Sequence, residues 1–133
     1  MAHHLKDLTI ELDEKVGTVA AAAEALGKVG VNIEGICGFV VGGKGFGHVL
    51  VEDAGKARQA LQSAGTRVTG EQDALVLEIE DKPGALGKLT RKIADAGVNL
   101  NAVYLATKTR VVIGAADIEK ARAAAGEGAA SRR

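Results

Sequence analysis

The chain has 133 residues, with 17 basic and 17 acidic side chains, zero formal net charge and 47% apolar residues, a composition that folds and fits one domain or two very small ones. Neutrality and an aromatic content of 2%, carried by Phe39, Phe46 and Tyr104, argue against a nucleic-acid reader, which needs a basic footprint and stacking platforms. The single cysteine, Cys37, leaves no disulfide framework and no CxxC redox or zinc motif.

No apolar run approaches the ~20 residues that span a bilayer, and Met1–Asp7 lacks the apolar stretch of a signal peptide. A cytoplasmic location with no membrane partner is therefore expected. His3 and His4 fit an appended segment as well as a native one and are set aside.

In chain order, Leu8, Ile10 and Leu12 alternate with polar residues and predict a strand with one face inward. After Gly17 the period changes: Val19, Ala22, Ala23, Leu26 and Val29 mark the apolar stripe of a helix that Gly30 ends. A second strand is expected over about Asn32–Val41. Gly42-Gly43-Lys44-Gly45 then makes a tight connection, followed by a third strand over Phe46–Glu52, a helix over Ala54–Ala64 and a fourth strand over Thr66–Glu71.

The same series then begins again. A shift of 67 residues lays Leu8–Gly17 on Leu75–Gly84 without a gap, and Gly30-Val31-Asn32-Ile33 on Gly97-Val98-Asn99-Leu100, with seven identities between positions 8 and 32. Such self-similarity marks a tandem duplication, with its seam near Asp73: residues 1–72 form a first domain and 73–133 a second. In the second copy Leu75, Leu77 and Ile79 make the strand. Asp81 and Pro83 are helix-start signals, and Leu86, Leu89, Ile93 and Ala96 form the helical stripe. Strands over Val98–Thr107 and Arg110–Ala115 flank the Lys108-Thr109 connection, and a helix covers Asp117–Ala125. The tail from Gly126 contains no fourth strand.

The fold class is therefore α+β: two βαββαβ units in tandem, antiparallel sheets with helices on one face, the second unit lacking its last strand. That loss exposes a sheet edge, which invites pairing with another chain. With Ile33, Cys37 and Phe39 turned toward the helices, Ile36 and Val40 face the open side of the sheet, as do Val103 and Leu105. Apolar residues on both faces imply that both are covered, and a homodimer is expected.

The element Asp81-Lys82-Pro83-Gly84-Ala85-Leu86, a helix, and then Gly97-Val98-Asn99-Leu100 resembles the ACT domain, a ferredoxin-like regulatory module of amino-acid metabolism. Glu14-Lys15-Val16-Gly17-Thr18-Val19 and Gly30-Val31-Asn32-Ile33 repeat the frame, so that the resemblance spans about residues 5–125. It implies an effector, usually an amino acid, bound between two such units. The ligand would lie between the strand-to-helix turn of one and the asparagine region of its neighbour. The implied binding residues are Asp81, Lys82, Pro83, Gly84, Ala85 and Asn99, and, in the first copy, Glu14, Lys15, Val16, Gly17, Thr18 and Asn32. The first copy departs from the pattern, with Val16 for proline and Glu14 for aspartate.

The residue chemistry agrees. A helix start offers unpaired N–H groups and a positive dipole end to a carboxylate. Gly17 or Gly84 lets backbone approach a ligand, Asp81 suits an ammonium group, and Asn99 both donates and accepts.

Other chemistries have weaker support. Gly38–Gly45 nearly spells a phosphate-binding P-loop but ends in Gly45 instead of Ser or Thr and joins two strands. Cys37 and His48 on successive strands form a nucleophile–base pair without an orienting third group, and three histidines without ligand spacing give no metal site. Glu11 with Glu78, Glu80 with Asp81, and the basic clusters Lys56, Arg58 and Lys120, Arg122 fit solvated faces. The expected protein is thus a non-catalytic amino-acid-binding regulator without cofactor or metal, relaying its state to a separate partner protein. The alternative is a ligand-free interaction module that assembles with a partner enzyme.

Overall fold

The structure is a computed structural model that describes residues 5–126; the expectations for His3, His4 and the tail beyond Gly126 lie outside that range. The elements are β1 (Lys6–Asp13), α1 (Thr18–Lys28), β2 (Gly35–Val41), β3 (Lys44–Val51), α2 (Ala54–Ser63), β4 (Arg67–Asp73), β5 (Leu75–Glu78), α3 (Ala85–Asp95), β6 (Leu100–Ala106), β7 (Arg110–Ala115) and α4 (Ile118–Ala125). The chain divides into two compact units, Leu5–Gln72 and the part from Asp73 onward.

In the first unit the strand order is β4-β1-β3-β2, with β1 and β2 both antiparallel to β3. Alternation in β1 puts Leu8, Ile10 and Leu12 on one face, where they pack with Val49 and Val51 of β3, Ala22 and Leu26 of α1, and Ala57 and Leu61 of α2. The second unit repeats this as β5-β7-β6, with Leu75, Leu77, Val111 and Ile113 against Ile93 of α3 and Ala121 of α4. Among the described residues no strand stands on the free side of the four-residue β5. The units are ferredoxin-like βαββαβ and βαββα modules in tandem, the expected fold class.

The expected facing of β2 and β6 is reversed. Ile36 pairs with Val49 and Cys37 with His48; Val49 belongs to the helix-side core, so Ile36 and Val40 lie on the helix side while Cys37 and Phe39 lie on the other. Likewise Val103 pairs with Ile113 and Leu105 with Val111, both on the helix side. The cause is local. Residues 32–34 are not strand, and in the second unit the register shifts between Leu100 and Ala102. A one-residue slip or bulge moves every later side chain to the opposite face. The helices leave these positions uncovered: Ile36 is 47% and Leu105 63% exposed. The opposite face is closely covered at Leu50 and Val112, which are inaccessible, and at Val76 and Tyr104, which are nearly so.

The two hairpins solve one turn differently. Gly42 and Gly43, both at positive φ, make a two-residue turn of the type that follows strand twist. The second hairpin places Lys108 at φ 61° and Thr109 at φ 54°, a conformation costing non-glycine residues about 1–2 kcal/mol each and least suited to a β-branched side chain. Lys108→Asn combined with Thr109→Gly is expected to raise the unfolding free energy by about 1 kcal/mol, read from urea denaturation. An unchanged midpoint would show that the turn is not strained.

Candidate functional site

Both strand-to-helix turns have the same backbone. Gly17 sits at φ 93°, ψ −7° and Gly84 at φ 89°, ψ −14°, each an N-cap without a side-chain cap. The turns close alike: Thr18 N–H donates to Lys15 O at 3.4 Å and Ala85 N–H to Lys82 O at 3.3 Å. The first helical bonds run to Gly17 O and Gly84 O. A left-handed glycine is required at this corner, since any Cβ would carry the strain of positive φ. The first copy adds a staple, Thr18 Oγ1 donating to Asp13 O and Lys15 O, where the second has the fixed φ of Pro83. Glu14, Lys15, Val16, Asp81, Lys82 and Pro83 are all exposed.

Each turn borders a cavity of its own unit. That of the first unit, about 580 Å³, runs from Glu14, Lys15 and Val16 to Phe39, Val40 and Phe46 on the hairpin. That of the second, about 280 Å³, lies between Glu80, Asp81 and Lys82 and the residues Leu105 and Arg110. The shift of 67 superposes Leu12, Asp13, Glu14, Lys15 and Val19 on Ile79, Glu80, Asp81, Lys82 and Leu86, so these are copies of one site.

Their chemistry has diverged. Phe46 pairs with Glu11 on β1, and Arg110 occupies the matching place opposite Glu78 on β5. The Arg110 side chain is 93% buried in solvent terms (7% exposed) and donates from Nε to Thr107 O at 2.8 Å and from Nη2 to Thr107 Oγ1 at 2.9 Å. It sets a fixed guanidinium beside the turn, a natural partner for a carboxylate. Sequence reasoning missed it; the available signal was one charge heading the otherwise uncharged strand Arg110–Ala115.

The asparagines do not join the turns of their own copies. Asn32 is exposed beyond the end of α1 and donates to Glu34 Oε2 at 3.1 Å. Asn99, beyond the end of α3, lines a separate cavity with Thr90 and Arg91 of that helix. Each helix has 11 residues, so about 16 Å separates turn from asparagine, farther than one small zwitterion reaches.

No family model matches the sequence, and neither does any curated protein. Among solved structures the chain is similar to protein BT0572 from Bacteroides thetaiotaomicron, with 27% identity and a TM-score of 0.77 over 92% of this chain and 87% of that one. It is similar to the ligand-free regulatory subunit of aspartate kinase from Thermus thermophilus, with 19% identity and a TM-score of 0.70 over 94% and 91%. It also resembles aspartate kinase from Clostridium acetobutylicum, with 17% identity and a TM-score of 0.63 over 93% of this chain and 32% of that one. The fold is a tandem ACT fold.

In the first ACT unit the sheet also answers the question of a cysteine nucleophile. The orienting group absent from the sequence reading is present: His48 Nδ1 lies 2.9 and 3.1 Å from the two carboxylate oxygens of Asp7. Cys37, His48's cross-strand neighbour, is not activated by it. Burial pushes the thiol upward, the nearby Asp7 charge adds to this, and the counteracting hydrogen bond comes from the His48 backbone. A nucleophile needs a depressed pKa.

Glu11, on the same face, accepts from Lys44 Nζ at 2.9 Å and Arg67 Nη2 at 3.2 Å. These contacts, Lys44 foremost, hold its carboxyl below the usual carboxylate value. A depressed folded pKa stabilises the fold above the unfolded pKa, and that stability is lost as pH falls through the folded value. Wild type should therefore be more stable than Glu11→Gln at pH 7, with the gap closing below the ordinary carboxylate range near pH ~4. Thermal midpoints across that range check this, and a pH-independent gap would contradict it.

Proposed function

We propose that this protein is a non-catalytic regulator that binds an amino acid at its strand-to-helix turns and relays occupancy to a partner protein. The observation carrying this reading is the recurrence of one backbone at Gly17 and Gly84, each with exposed charges beside a cavity. A zwitterion needs opposite features within a few ångströms. The helix start, and in the second unit Arg110, would receive its carboxylate, and Asp81 or Glu14 its ammonium group. Because the asparagines lie far from their own turns, the reading has an ACT unit of a second copy bring Asn32 or Asn99 to the ligand, so that the binding form is a homodimer.

Regulation would then be linkage: the ligand favours one arrangement of the copies, and a partner distinguishes it. Fold similarity to a regulatory subunit of aspartate kinase supports a regulatory role by analogy. Val16, fully exposed beside exposed Val19, favours a second reading in which the turn docks a partner enzyme and binds no ligand. A thermal-shift panel of the twenty amino acids decides between them. A true effector at ~100 times its Kd adds about 2.7 kcal/mol of stability, whereas no response to any amino acid would leave the docking module.

A further inference from the structure

The first unit contains an apolar cavity of about 290 Å³ beneath α1, roofed by Ala22 and Ala23 and floored by Ile10, Gly38, Gly47 and Val49. No charged side chain lines it, and the one bordering residue with a heteroatom in its side chain, Cys37, turns that side chain to the opposite face of the sheet. It shares Leu12, Val19, Gly38 and Phe46 with the turn cavity, so the two spaces adjoin, with the Glu14–Thr18 turn bordering the outer one.

The duplicated unit shows why the space exists. Across the sheet, Ile10 pairs with Gly47 and Gly47 with Gly38; the matching row is Leu77, Val111 and Leu105. Over it, Ala22 of α1 corresponds to Leu89 of α3. In the second unit Val111 is fully buried and Leu89 packs on the core, so its own side chains occupy the ground that Gly47 and Ala22 leave open. Gly47 is held to glycine by close approach: a Cβ there would collide with the Cys37 carbonyl oxygen.

We propose that the effector of the first unit is an amino acid with a large apolar side chain, branched aliphatic or aromatic, which enters this cavity while its charged end stays at the Glu14–Thr18 turn. The proposal rests on the amino-acid-binding reading above and adds the ligand class. An apolar cavity of about 150 Å³ suffices for benzene, so 290 Å³ holds a leucine, isoleucine, methionine or phenylalanine side chain. A lysine or aspartate side chain would lose its hydration there without a partner.

The test uses the full chain and two variants that copy the second unit's residues, Ala22→Leu in the roof and Gly38→Leu in the floor. A Cβ at Gly38 meets only the Phe46 carbonyl oxygen, at 3.4 Å, so each variant adds volume without a backbone clash. Thermal shift and calorimetric titration with Leu, Ile, Met and Phe, against Gly, Ala, Asp and Lys, should show binding of the apolar set by wild type and at least tenfold weaker binding by both variants, with no fall in the ligand-free midpoint. If either variant fails to fold, the other carries the comparison. A response confined to small or polar amino acids overturns this inference and leaves the regulatory reading standing. Unchanged affinity for the apolar set in the folded variants also overturns it alone, and a response to no amino acid overturns both.

Discussion

His48→Ala should cost about 3 kcal/mol of stability, more than Asp7→Asn. Asp7 is completely buried, and its Oδ2 takes contacts from His48 Nδ1 at 2.9 Å and Gln72 Nε2 at 3.0 Å. Removing His48 takes from the buried carboxylate a partner that Gln72 alone does not replace, and breaking such a buried pair runs to about 3 kcal/mol or more. The asymmetry follows from exposure. The His48 side chain keeps 20% of its surface in solvent and Asp7 keeps none, so an imidazole without its carboxylate is readily hydrated, whereas the buried carboxylate without its imidazole is left with Gln72 and weaker compensation. Asparagine preserves the shape and an acceptor for Gln72, and should cost about 1 kcal/mol. Urea unfolding of both variants gives the order, and a smaller loss for His48→Ala than for Asp7→Asn would refute it.

Valine at the turn glycines should separate binding from folding. Gly17 and Gly84 lie at positive φ with nothing within 4 Å of an added Cβ, so Gly17→Val and Gly84→Val suffer backbone strain without a collision, about 2 kcal/mol each. The ~5–15 kcal/mol stability of a typical domain survives that loss. Gly65, at φ 90° and equally unobstructed beyond the end of α2, supplies the control. Gly65→Val should lose similar stability and keep its full ligand-induced thermal shift. Each turn variant should lose the response of its own turn, and the double variant all of it. A double variant that still responds fully would place the ligand elsewhere.

The duplication, the order of elements and the turn were legible because each writes a local signal: period two in Leu8, Ile10 and Leu12, a helical stripe from Val19, and the recurring glycines. The facing of β2 was not. It depends on where pairing starts, at Gly35, and on the irregularity after Leu100, which periodicity does not record. Asp7 gave no sign before the register placed it diagonally across from His48 on one face of the sheet. The cavity was equally hidden, because Gly38 and Gly47 look like ordinary hairpin glycines until pairing sets them side by side beneath Ala22. The turn residues were found by pattern, while Arg110 follows from which strand position borders the turn.

The collision guarding Gly47 makes the two walls of the apolar cavity unequal in what they can become. The lower wall is frozen at that point, because any larger residue must first push a neighbouring strand aside. The upper wall lies on a helix that takes alanine, leucine or methionine with similar ease. Drift or engineering can therefore resize the cavity through positions 22 and 23 while the charged corner stays untouched, so that ligand preference can change without loss of ligand recognition.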